Sequence, residues 1–216
     1  MKRTIEISGL EARFYDQFIL IGTLGLYQVL LNRVIRDMGI RENDRILDLG
    51  AGTGKNARIM NRYLHSGTVT GVEIGDEMAR IFKKKNAKYS NISLVKTRID
   101  EPLDFSERFS LVVIFLVIHG LSQDKRETVL DNGFRALQPG GRLCIFDWSR
   151  FELEKAGSLL RFFMKRIECP PALDFIQRDF NKSLYEAGFT GIEEKYYVRG
   201  KMRLLCGVKE ETRDEA

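Results

Sequence analysis

The chain contains 216 residues, of which 44% are hydrophobic and 30% are charged, and its formal net charge is +5. This size and composition are typical of one soluble globular domain, and the mild basic excess excludes the strongly basic surface of a dedicated nucleic-acid binder. The three cysteines, Cys144, Cys169 and Cys206, are widely spaced and form no CxxC pair. We therefore expect neither a disulfide framework nor a metal site, and a reducing cytoplasm as the location.

The N-terminal region predicts a helical segment of about Glu11 to Met38. Its most apolar stretch, Phe18 to Leu31, is shorter than the roughly 20 residues that a membrane-spanning helix needs. The residues before that stretch contain no apolar core of the kind found in secretory signals. We therefore interpret residues 1–43 as a buried or interfacial helix that forms a lid.

Strands and helices then alternate from about Asp44 to Trp148. The run LVVIFLVI at Leu111–Ile118 is continuously apolar, as expected of a strand buried on both faces of a parallel sheet. Pro139-Gly140-Gly141 predicts a sharp turn into the last strand of this block. The alternation predicts parallel strands with right-handed crossovers. The predicted strands are Arg45–Leu49, Thr68–Glu73, Ile92–Val95, Leu111–Ile118 and Arg142–Asp147, and the predicted helices are Ala57–Leu64, Glu77–Asn86 and Lys125–Leu137.

The C-terminal part continues with a basic and aromatic segment, about Lys155 to Ile167, and a helix near Phe175 to Ala187. Two further strands, Gly191–Tyr197 and Met202–Val208, flank Arg199-Gly200 and predict an antiparallel hairpin. We predict a single α/β domain with a Rossmann-like, doubly wound, seven-stranded mixed sheet, a C-terminal antiparallel hairpin and an N-terminal helical lid. Its parts are the lid at 1–43, a ligand-binding core at 44–150, a substrate lid and hairpin at 151–209, and a polar tail at 210–216.

The most specific motif is Asp48-Leu49-Gly50-Ala51-Gly52-Thr53-Gly54, which follows a predicted strand and opens a predicted helix. Glycines there allow a tight turn and a close approach of the backbone to a ligand, and the helix N-terminus offers N–H groups to an anion. A phosphate-binding P-loop is excluded, because Leu49 and Asn56 stand where that motif needs Gly and Ser or Thr. The dinucleotide fingerprint is excluded, because Lys55 occupies its third glycine position.

A G-x-G-x-G loop preceded by an acid is instead the pattern of class I methyltransferases, which use S-adenosylmethionine. That cofactor carries an ammonium, a carboxylate and a sulfonium but no phosphate. Asp48 at the strand tip can meet the ammonium while the loop amides meet the carboxylate, and a helix cap is the structural alternative. Glu73 can accept both ribose hydroxyls, with a plain surface position as the alternative. Met78 either lies over the adenine or packs in the core.

Four segments together resemble the class I S-adenosylmethionine-dependent methyltransferases: ILDLGAGTGKNARI, TGVEIGDEM, FSLVVIFLVIHGL and RALQPGGRLCIFDWS. Within that class, the chain resembles the ubiquinone/menaquinone-biosynthesis C-methyltransferase family in Tyr15-Asp16 followed by Leu24-Gly25-Leu26, in LQPGGRLCIFDWS, and in VRGKMRLLCGVK. The resemblance covers about residues 12 to 208. It implies S-adenosylmethionine as the cofactor and a quinone precursor as the methyl acceptor.

The chain departs from that family in several segments. Ile19-Leu20 replaces a Met-Asn pair, Ser110 replaces the acid before the fourth strand, and Ile114-Phe115 replaces small residues within it. Arg98-Ile99-Asp100 occupies the adenine-binding stretch, so the adenine partner is either the Asp100 side chain or the Ile99 backbone. The predicted cofactor contacts are Asp48, Gly50, Ala51, Gly52, Thr53, Gly54, Glu73, Ile74, Met78, Ile99, Asp100, Phe115 and Leu116.

Methyl transfer from a sulfonium is an in-line displacement that depends mainly on positioning, and a base helps only where the acceptor loses a proton. His119, placed by the pattern at the end of the fourth strand, is the candidate base, with a structural histidine as the alternative. Asp147, at the end of the fifth strand, either orients the acceptor or caps Ser149 or the chain turn. Tyr15 either closes over the sulfonium or packs in the core.

These residues predict an enzyme that methylates a small, apolar or aromatic acceptor of the quinone-precursor type. The alternatives are a phospholipid or amine N-methyltransferase and a cofactor-binding protein without catalysis. The segment Leu159–Arg166 interleaves aromatic and basic residues, and it is either an amphipathic lid or a peripheral membrane contact. No nucleic-acid partner is expected, because the sequence carries no nucleic-acid module, and the oligomeric state is left open.

Overall fold

The computed structural model describes residues 26–166 and 170–210. Predictions on other residues, among them Tyr15 and the beginning of the N-terminal helix, lie outside the described residues. The strands are β1 (Arg45–Leu49), β2 (Thr68–Val72), β3 (Ile92–Val95), β4 (Phe109–Phe115), β5 (Leu137–Trp148), β6 (Thr190–Tyr197) and β7 (Met202–Val208). They form one seven-stranded sheet in the order β3-β2-β1-β4-β5-β7-β6.

The first five strands are parallel, and β7 lies antiparallel between β5 and β6. This confirms the predicted α/β fold with a mixed sheet and a C-terminal antiparallel hairpin. The helices are α1 (Leu26–Asp37), α2 (Lys55–Met60), α3 (Asp76–Asn86), α4 (Gln123–Ala136), α5 (Ser158–Arg166), α6 (Pro170–Phe175) and α7 (Phe180–Glu186). Short 3-10 turns lie at Asn61–Tyr63, Ile118–Gly120 and Leu153–Lys155.

Helices cover both faces of the sheet. The side chains of α1, α2 and α3 pack on one face through a cluster that includes Leu31, Ala57 and Phe82, whereas α4 and α7 cover the other face. Successive residues of β4 enter the two clusters in alternation, because side chains of a strand point to opposite faces. A strand covered on both sides must be apolar throughout, which explains the continuous hydrophobic run in this segment.

The fourth strand ends earlier than the sequence predicts. It stops at Phe115, because Leu116 takes a left-handed φ of 55° and the chain then turns through Ile118–Gly120. Ile118 is nevertheless fully buried, so the apolar run continues through a turn that packs into the core. His119 therefore lies in a 3-10 turn after the strand and not in the strand itself.

Two further boundaries differ from prediction. The Pro-Gly-Gly segment is an irregularity within β5 and not a turn before it, since the register with β4 shifts between the Phe109–Leu137 and Leu111–Arg142 pairs. The helix expected near 175–187 is divided into α6 and α7. Asp179 starts α7 as its N-cap by accepting a hydrogen bond from the Asn181 amide at 3.2 Å, and such caps mark helix starts.

Cys144 and Cys206 form a disulfide, which corrects the expectation that no disulfide would be present. The two residues lie directly opposite each other in the antiparallel pair of β5 and β7, with their Cα atoms 4.2 Å apart. Opposite residues in antiparallel strands bring their side chains close together. The sequence hid this pairing, because 62 positions separate the cysteines and only the fold makes their strands neighbours.

Across residues 26–166 and 170–210, no helix combines the length and the apolarity needed to cross a bilayer. The same ranges contain no group of three or more His, Cys, Asp or Glu side chains arranged to hold a metal ion.

Candidate functional site

The candidate site lies at the carboxyl ends of β1, β2, β4 and β5. The strand order reverses between β1 and β4, because the chain leaves β1 toward one edge of the sheet and later returns to β1's other side. In open α/β sheets, ligands bind in the crevice at such a switch point. This geometry gathers Asp48, Glu73, Phe115 and Asp147, which are distant in sequence, at one edge of the sheet.

The glycine loop takes a conformation that residues with side chains rarely adopt. Gly50, Gly52 and Gly54 have φ angles of 83°, 52° and 70°, all in the left-handed region that glycine tolerates. The amides of Gly50 and Ala51 both donate to the Val72 carbonyl, at 3.0 and 2.9 Å. These bonds tie the loop to the end of β2.

The three glycines differ in what an added side chain would contact. A Cβ on Gly50 would lie 2.7 Å from Val117 Cγ2, and a Cβ on Gly54 would lie 2.6 Å from Phe82 Cδ2. A Cβ on Gly52 would meet no heavy atom of the described chain within 4 Å. Packing of the protein therefore requires Gly50 and Gly54, whereas Gly52 borders space through which a ligand can approach the backbone.

Asp48 is fully buried, and neither of its carboxylate oxygens has a hydrogen-bond partner among the described residues. Burial raises the pKa of Asp48 to about 7, and the nearby charge of Glu73 adds to the shift. Leaving a buried carboxylate without a partner is costly, and such groups normally meet a cation. The ammonium of S-adenosylmethionine fits this requirement. The helix-cap alternative is excluded, because α2 begins after Gly54 without a side-chain cap.

Glu73 faces the glycine loop. Its Oε2 accepts from the Gly52 amide at 3.0 Å, and its Oε1 accepts from the Gly75 amide at 2.7 Å. A carboxylate offers about four lone-pair sites, so both oxygens retain acceptor capacity for ribose hydroxyls. Glu73 thus orders the loop from the side, and its contact with the sugar stays a prediction.

The predicted adenine side lies around α3 and the segment after β3. Met78 is buried in the first turn of α3, and Ile74 is half-buried before it. Asp100 binds Arg98 through two contacts of 2.9 Å and Lys125 Nζ at 2.6 Å. Burial alone would raise the pKa of Asp100, but these hydrogen bonds and charges outweigh it and lower the pKa to about 2. Its carboxylate is therefore committed to two cations.

Sequence reasoning did not identify Asn132, which organises this segment from α4. Its Nδ2 donates to the carbonyls of Ile99 and Glu101, at 2.9 and 2.7 Å, and its Oδ1 accepts from the Leu103 amide at 2.9 Å. The signal was its position one turn before Ala136 on the buried face of α4. The Ile99 carbonyl is thus held by Asn132, and the adenine contacts of Ile99 and Asp100 stay predictions.

Phe115 and Leu116 lie where β4 ends at the crevice. Phe115 is buried against Phe146, with ring centroids 6.3 Å apart. Leu116 is half-buried and donates from its amide to the Phe146 carbonyl at 2.9 Å. Its left-handed conformation is uncommon for a residue other than glycine, and such residues cluster at functional sites.

The structure joins His119 and Asp147, which the sequence offered as separate candidates. His119 Nδ1 lies 2.7 Å from Asp147 Oδ1, and the His119 amide donates to Asp147 Oδ2 at 3.2 Å. Asp147 does not cap Ser149, whose hydroxyl donates to the Gly200 carbonyl instead, but its Oδ1 does accept from the adjacent Trp148 amide at 2.7 Å. A carboxylate that accepts from Nδ1–H selects the tautomer in which Nε2 is the basic nitrogen. The pair can therefore take up a proton at the crevice.

Residues 46–141 match the methyltransferase domain family. The chain is 29% identical over 140 residues to the ubiquinone/menaquinone biosynthesis C-methyltransferase of Proteus mirabilis, covering 63% of this chain and 55% of that relative. It is 23% identical over 216 residues to the demethylmenaquinone methyltransferase of Staphylococcus aureus, covering 91% of this chain and 88% of that relative. The aligned part spans about half the length of the first of these relatives.

A solved structure of human N-acetylserotonin methyltransferase in complex with S-adenosylmethionine shares the fold. Its TM-score is 0.68 at 16% identity, covering 89% of this chain and 55% of that one. The fold, the glycine loop and the match over residues 46–141 agree with the predicted class I methyltransferase domain, a class that uses S-adenosylmethionine. Within this class, the chain is close to the ubiquinone/menaquinone-biosynthesis C-methyltransferases, which confirms the resemblance seen in the sequence.

Proposed function

We propose that this protein transfers a methyl group from S-adenosylmethionine to a small, apolar or aromatic acceptor of the quinone-precursor type. The unpartnered, buried carboxylate of Asp48 carries the proposal, because it suits the ammonium of the cofactor, and the open space at Gly52 leaves room for the cofactor beside the loop. The pair of His119 and Asp147 supports an acceptor that gives up a proton. The names of the curated relatives support a quinone ring as that acceptor.

When bound, S-adenosylmethionine supplies an electrophilic methyl group, whose bond to sulfur breaks, leaving its electron pair on sulfur, as the bond to the acceptor forms. Asp48 would hold the ammonium and Glu73 the ribose, which would fix the cofactor at the carboxyl edge of the sheet. Positioning of this kind can supply roughly 7–11 kcal/mol of the barrier reduction. His119 takes the proton of a phenol or an enol at Nε2, and Asp147 stabilises the resulting imidazolium.

The test is methyl uptake from labelled S-adenosylmethionine by four acceptors supplied separately: a naphthoquinol without a ring methyl, a simple phenol, a primary amine, and phosphatidylethanolamine vesicles. We expect label in the naphthoquinol or the phenol, with turnover reduced about 10²- to 10⁴-fold in His119→Gln, the range typical of general-base loss. Thr128→Ala, which removes only a hydrogen bond to the Asp124 carbonyl within α4, should leave turnover unchanged. Label only in the amine or the phospholipid would contradict the proposal and identify an N-methyltransferase.

Cofactor binding without catalysis is the other alternative, and it would show as binding of S-adenosylmethionine with no label in any acceptor. The replacement of the family's acid by Ser110 favours this alternative. The Ser110 hydroxyl donates to Asp44 at 2.7 Å and accepts from the Arg45 amide at 2.9 Å, at the amino end of β4. This substitution therefore lies at the edge opposite the candidate site and leaves the catalytic reading intact.

The proposal includes a candidate membrane partner, which would contact helix α5. On α5, Phe162 is 59% exposed, whereas Arg161 and Lys165 pair with Glu154 at 3.5 and 3.0 Å. Two basic residues of this helix thus pair with a carboxylate of the protein itself. Peripheral membrane contact stays a prediction, and binding to the phosphatidylethanolamine vesicles tests it. The cytoplasmic location and the absence of a nucleic-acid partner also stay predictions. A disulfide is more common outside reducing compartments and in hyperthermophile proteins.

A further inference from the structure

Arg126 on α4 is a charged side chain that the mechanism above does not use. Its side chain has 0% exposure, which makes it the largest of the fully buried side chains in the described chain. Burying a guanidinium is costly unless its donors are satisfied. An apolar residue would suffice if α4 needed only packing at this position, so the contacts of Arg126 indicate what it holds.

The guanidinium binds two segments outside its own helix. In the 3-10 turn that carries His119, Nε donates to the Ile118 carbonyl at 3.2 Å and Nη2 donates to the His119 carbonyl at 3.3 Å. In α6, Nη2 donates to the Pro171 carbonyl at 2.8 Å and Nη1 to Asp174 Oδ2 at 2.8 Å. Within its helix, Nη1 also reaches Gln123 Oε1 at 3.4 Å. Its planar fork therefore joins the His119 turn to α6.

The ring of Phe175 completes the α6 contact, since the Arg126 guanidinium lies 5.1 Å from its centroid. His119 is thus fixed on both sides: Asp147 holds its ring and its amide, and Arg126 holds its carbonyl. A shift of α6 would be transmitted to this carbonyl through one planar guanidinium group.

We propose that Arg126 is a positioning residue that couples α6, on the acceptor side of the domain, to the orientation of the His119 imidazole. The inference rests on the proposed function, since it gives His119 a role in proton transfer. Asp174 is the exposed end of the coupling: its side chain is 44% exposed and it also accepts from Arg178 at 2.8 and 2.7 Å. Asp174 therefore connects the buried guanidinium of Arg126 to the molecular surface.

The variants follow from these contacts. Arg126→Met removes every donor but retains bulk, Arg126→Lys keeps the charge without the fork, and Asp174→Asn keeps the shape without the ion pair. Arg178→Met is the matched control, because Arg178 binds the same carboxylate from the surface, and its side-chain hydrogen bonds within residues 26–166 and 170–210 go to Asp174 and not to the His119 turn. Asp174→Asn and Arg126→Lys keep the test available if Arg126→Met does not fold.

The first readout is the ¹⁵N-imidazole spectrum, which needs no acceptor. The chain has two histidines, so His65 serves as an internal reference. We expect Arg126→Met and Asp174→Asn to weaken the Nδ1–H signal of His119 and to admit its second tautomer, whereas Arg178→Met leaves the spectrum unchanged. An unchanged His119 signal in folded Arg126→Met and Asp174→Asn would overturn the proposal.

The second readout separates turnover from binding. We expect kcat to fall on the order of 10- to 100-fold in Arg126→Met, the size of effect expected from a displaced catalytic group. Arg126→Lys should recover part of this loss, and the Kd for S-adenosylmethionine should stay within about twofold, since no cofactor contact is changed. A loss confined to cofactor affinity would contradict the proposal. If no acceptor is methylated, the proposed function fails. The histidine spectrum still decides whether Arg126 controls the orientation of the His119 imidazole.

Discussion

At the scale of single residues, Asp48 and Glu73 share one edge of the sheet but have different surroundings. Glu73 accepts two backbone amides, whereas Asp48 accepts none among the described residues. Burial first, and then the charge of Glu73, raises the pKa of Asp48 from 3.8 to about 7. The unliganded fold therefore favours protonated Asp48, and this contribution to stability is lost as pH rises from the unfolded value through about 7.

The same shift predicts the pH dependence of cofactor binding. The ammonium of the cofactor needs ionised Asp48, so we expect affinity to rise with pH toward about 7, approaching tenfold per pH unit, and to fall above about 8 as the cofactor's amino group loses its proton. Isothermal titration in buffers of different ionisation enthalpy should show proton release near pH 6. Asp48→Asn should weaken binding about 10- to 100-fold near neutral pH and flatten the rise. An equal pH slope in both proteins would refute this assignment.

The glycines predict two separable defects. Gly54→Ala should destabilise the protein without ligand by about 2 kcal/mol or more, because its Cβ would lie 2.3 Å from Asn86 Nδ2 and 2.6 Å from Phe82. Gly52→Ala meets no such clash and should cost only about 1–2 kcal/mol of backbone strain, yet it should reduce cofactor affinity strongly. Thermal unfolding with and without S-adenosylmethionine measures both. Full retention of the cofactor-induced shift in Gly52→Ala would place the ligand elsewhere.

At the scale of elements, α4 and the strand pair of β5 and β7 connect distant parts of the chain. Arg126 and Asn132 lie on the buried face of α4, and they hold the His119 turn and the segment 99–103 respectively. One helix therefore fixes both the predicted acceptor side and the predicted adenine side of the crevice. Three residues before Asp147 in β5, the disulfide of Cys144 and Cys206 joins β5 to β7.

The disulfide predicts a redox-dependent stability. Closing a loop of 62 residues constrains the unfolded chain by about 4 kcal/mol in the chain-entropy model, so reduction should lower Tm by about 10 °C for a protein of this size. Thiol titration of the unfolded, unreduced protein should count one reactive cysteine of the three in the chain. Cys144→Ser should show the same Tm with and without reductant. Three reactive thiols before reduction would exclude the disulfide.

At the scale of the whole molecule, the two edges of the sheet have different tasks. The carboxyl edge holds the candidate site, and the amino edge holds a buried network around Asp44. That carboxylate accepts from the Arg41 amide at 2.8 Å, from the Ser110 hydroxyl at 2.7 Å and from Arg142 at 2.8 Å. These bonds go to its own turn, to β4 and to β5, so its contribution is to stability.

This separation predicts that damage at the amino edge spares the cofactor. Arg142→Met leaves Asp44 buried with a lost ion pair and should cost about 3–5 kcal/mol of stability, with cofactor Kd changed less than about twofold. Arg45→Met, an exposed change at the same edge, should cost about 0.5 kcal/mol or less. Chemical denaturation and isothermal titration measure the two quantities, and a large loss of cofactor affinity in stable Arg142→Met would show that the edges are coupled.

Much of this architecture was predictable, because local patterns carried it. The strands Ile92–Val95 and Met202–Val208 agree with prediction at both ends, and the glycine loop identified its ligand class through residue types alone. The pairing of His119 with Asp147 was not predictable, since 28 positions separate them. Arg126 was missed because a charged residue in an amphipathic helix is normally solvated, although its position one turn before Val129 and Leu130 indicated the buried face.

The sequence by itself determined that the glycine loop must turn tightly, which segments must be buried on both faces, and which acids stand at strand ends, because each of these depends on a few adjacent residues. Only the tertiary structure decided that Asp48 lacks a partner, that Cys144 meets Cys206, and that Arg126 joins the His119 turn to α6. These depend on which strands and helices become neighbours, and burial and hydrogen-bond partners exist only once that packing is formed.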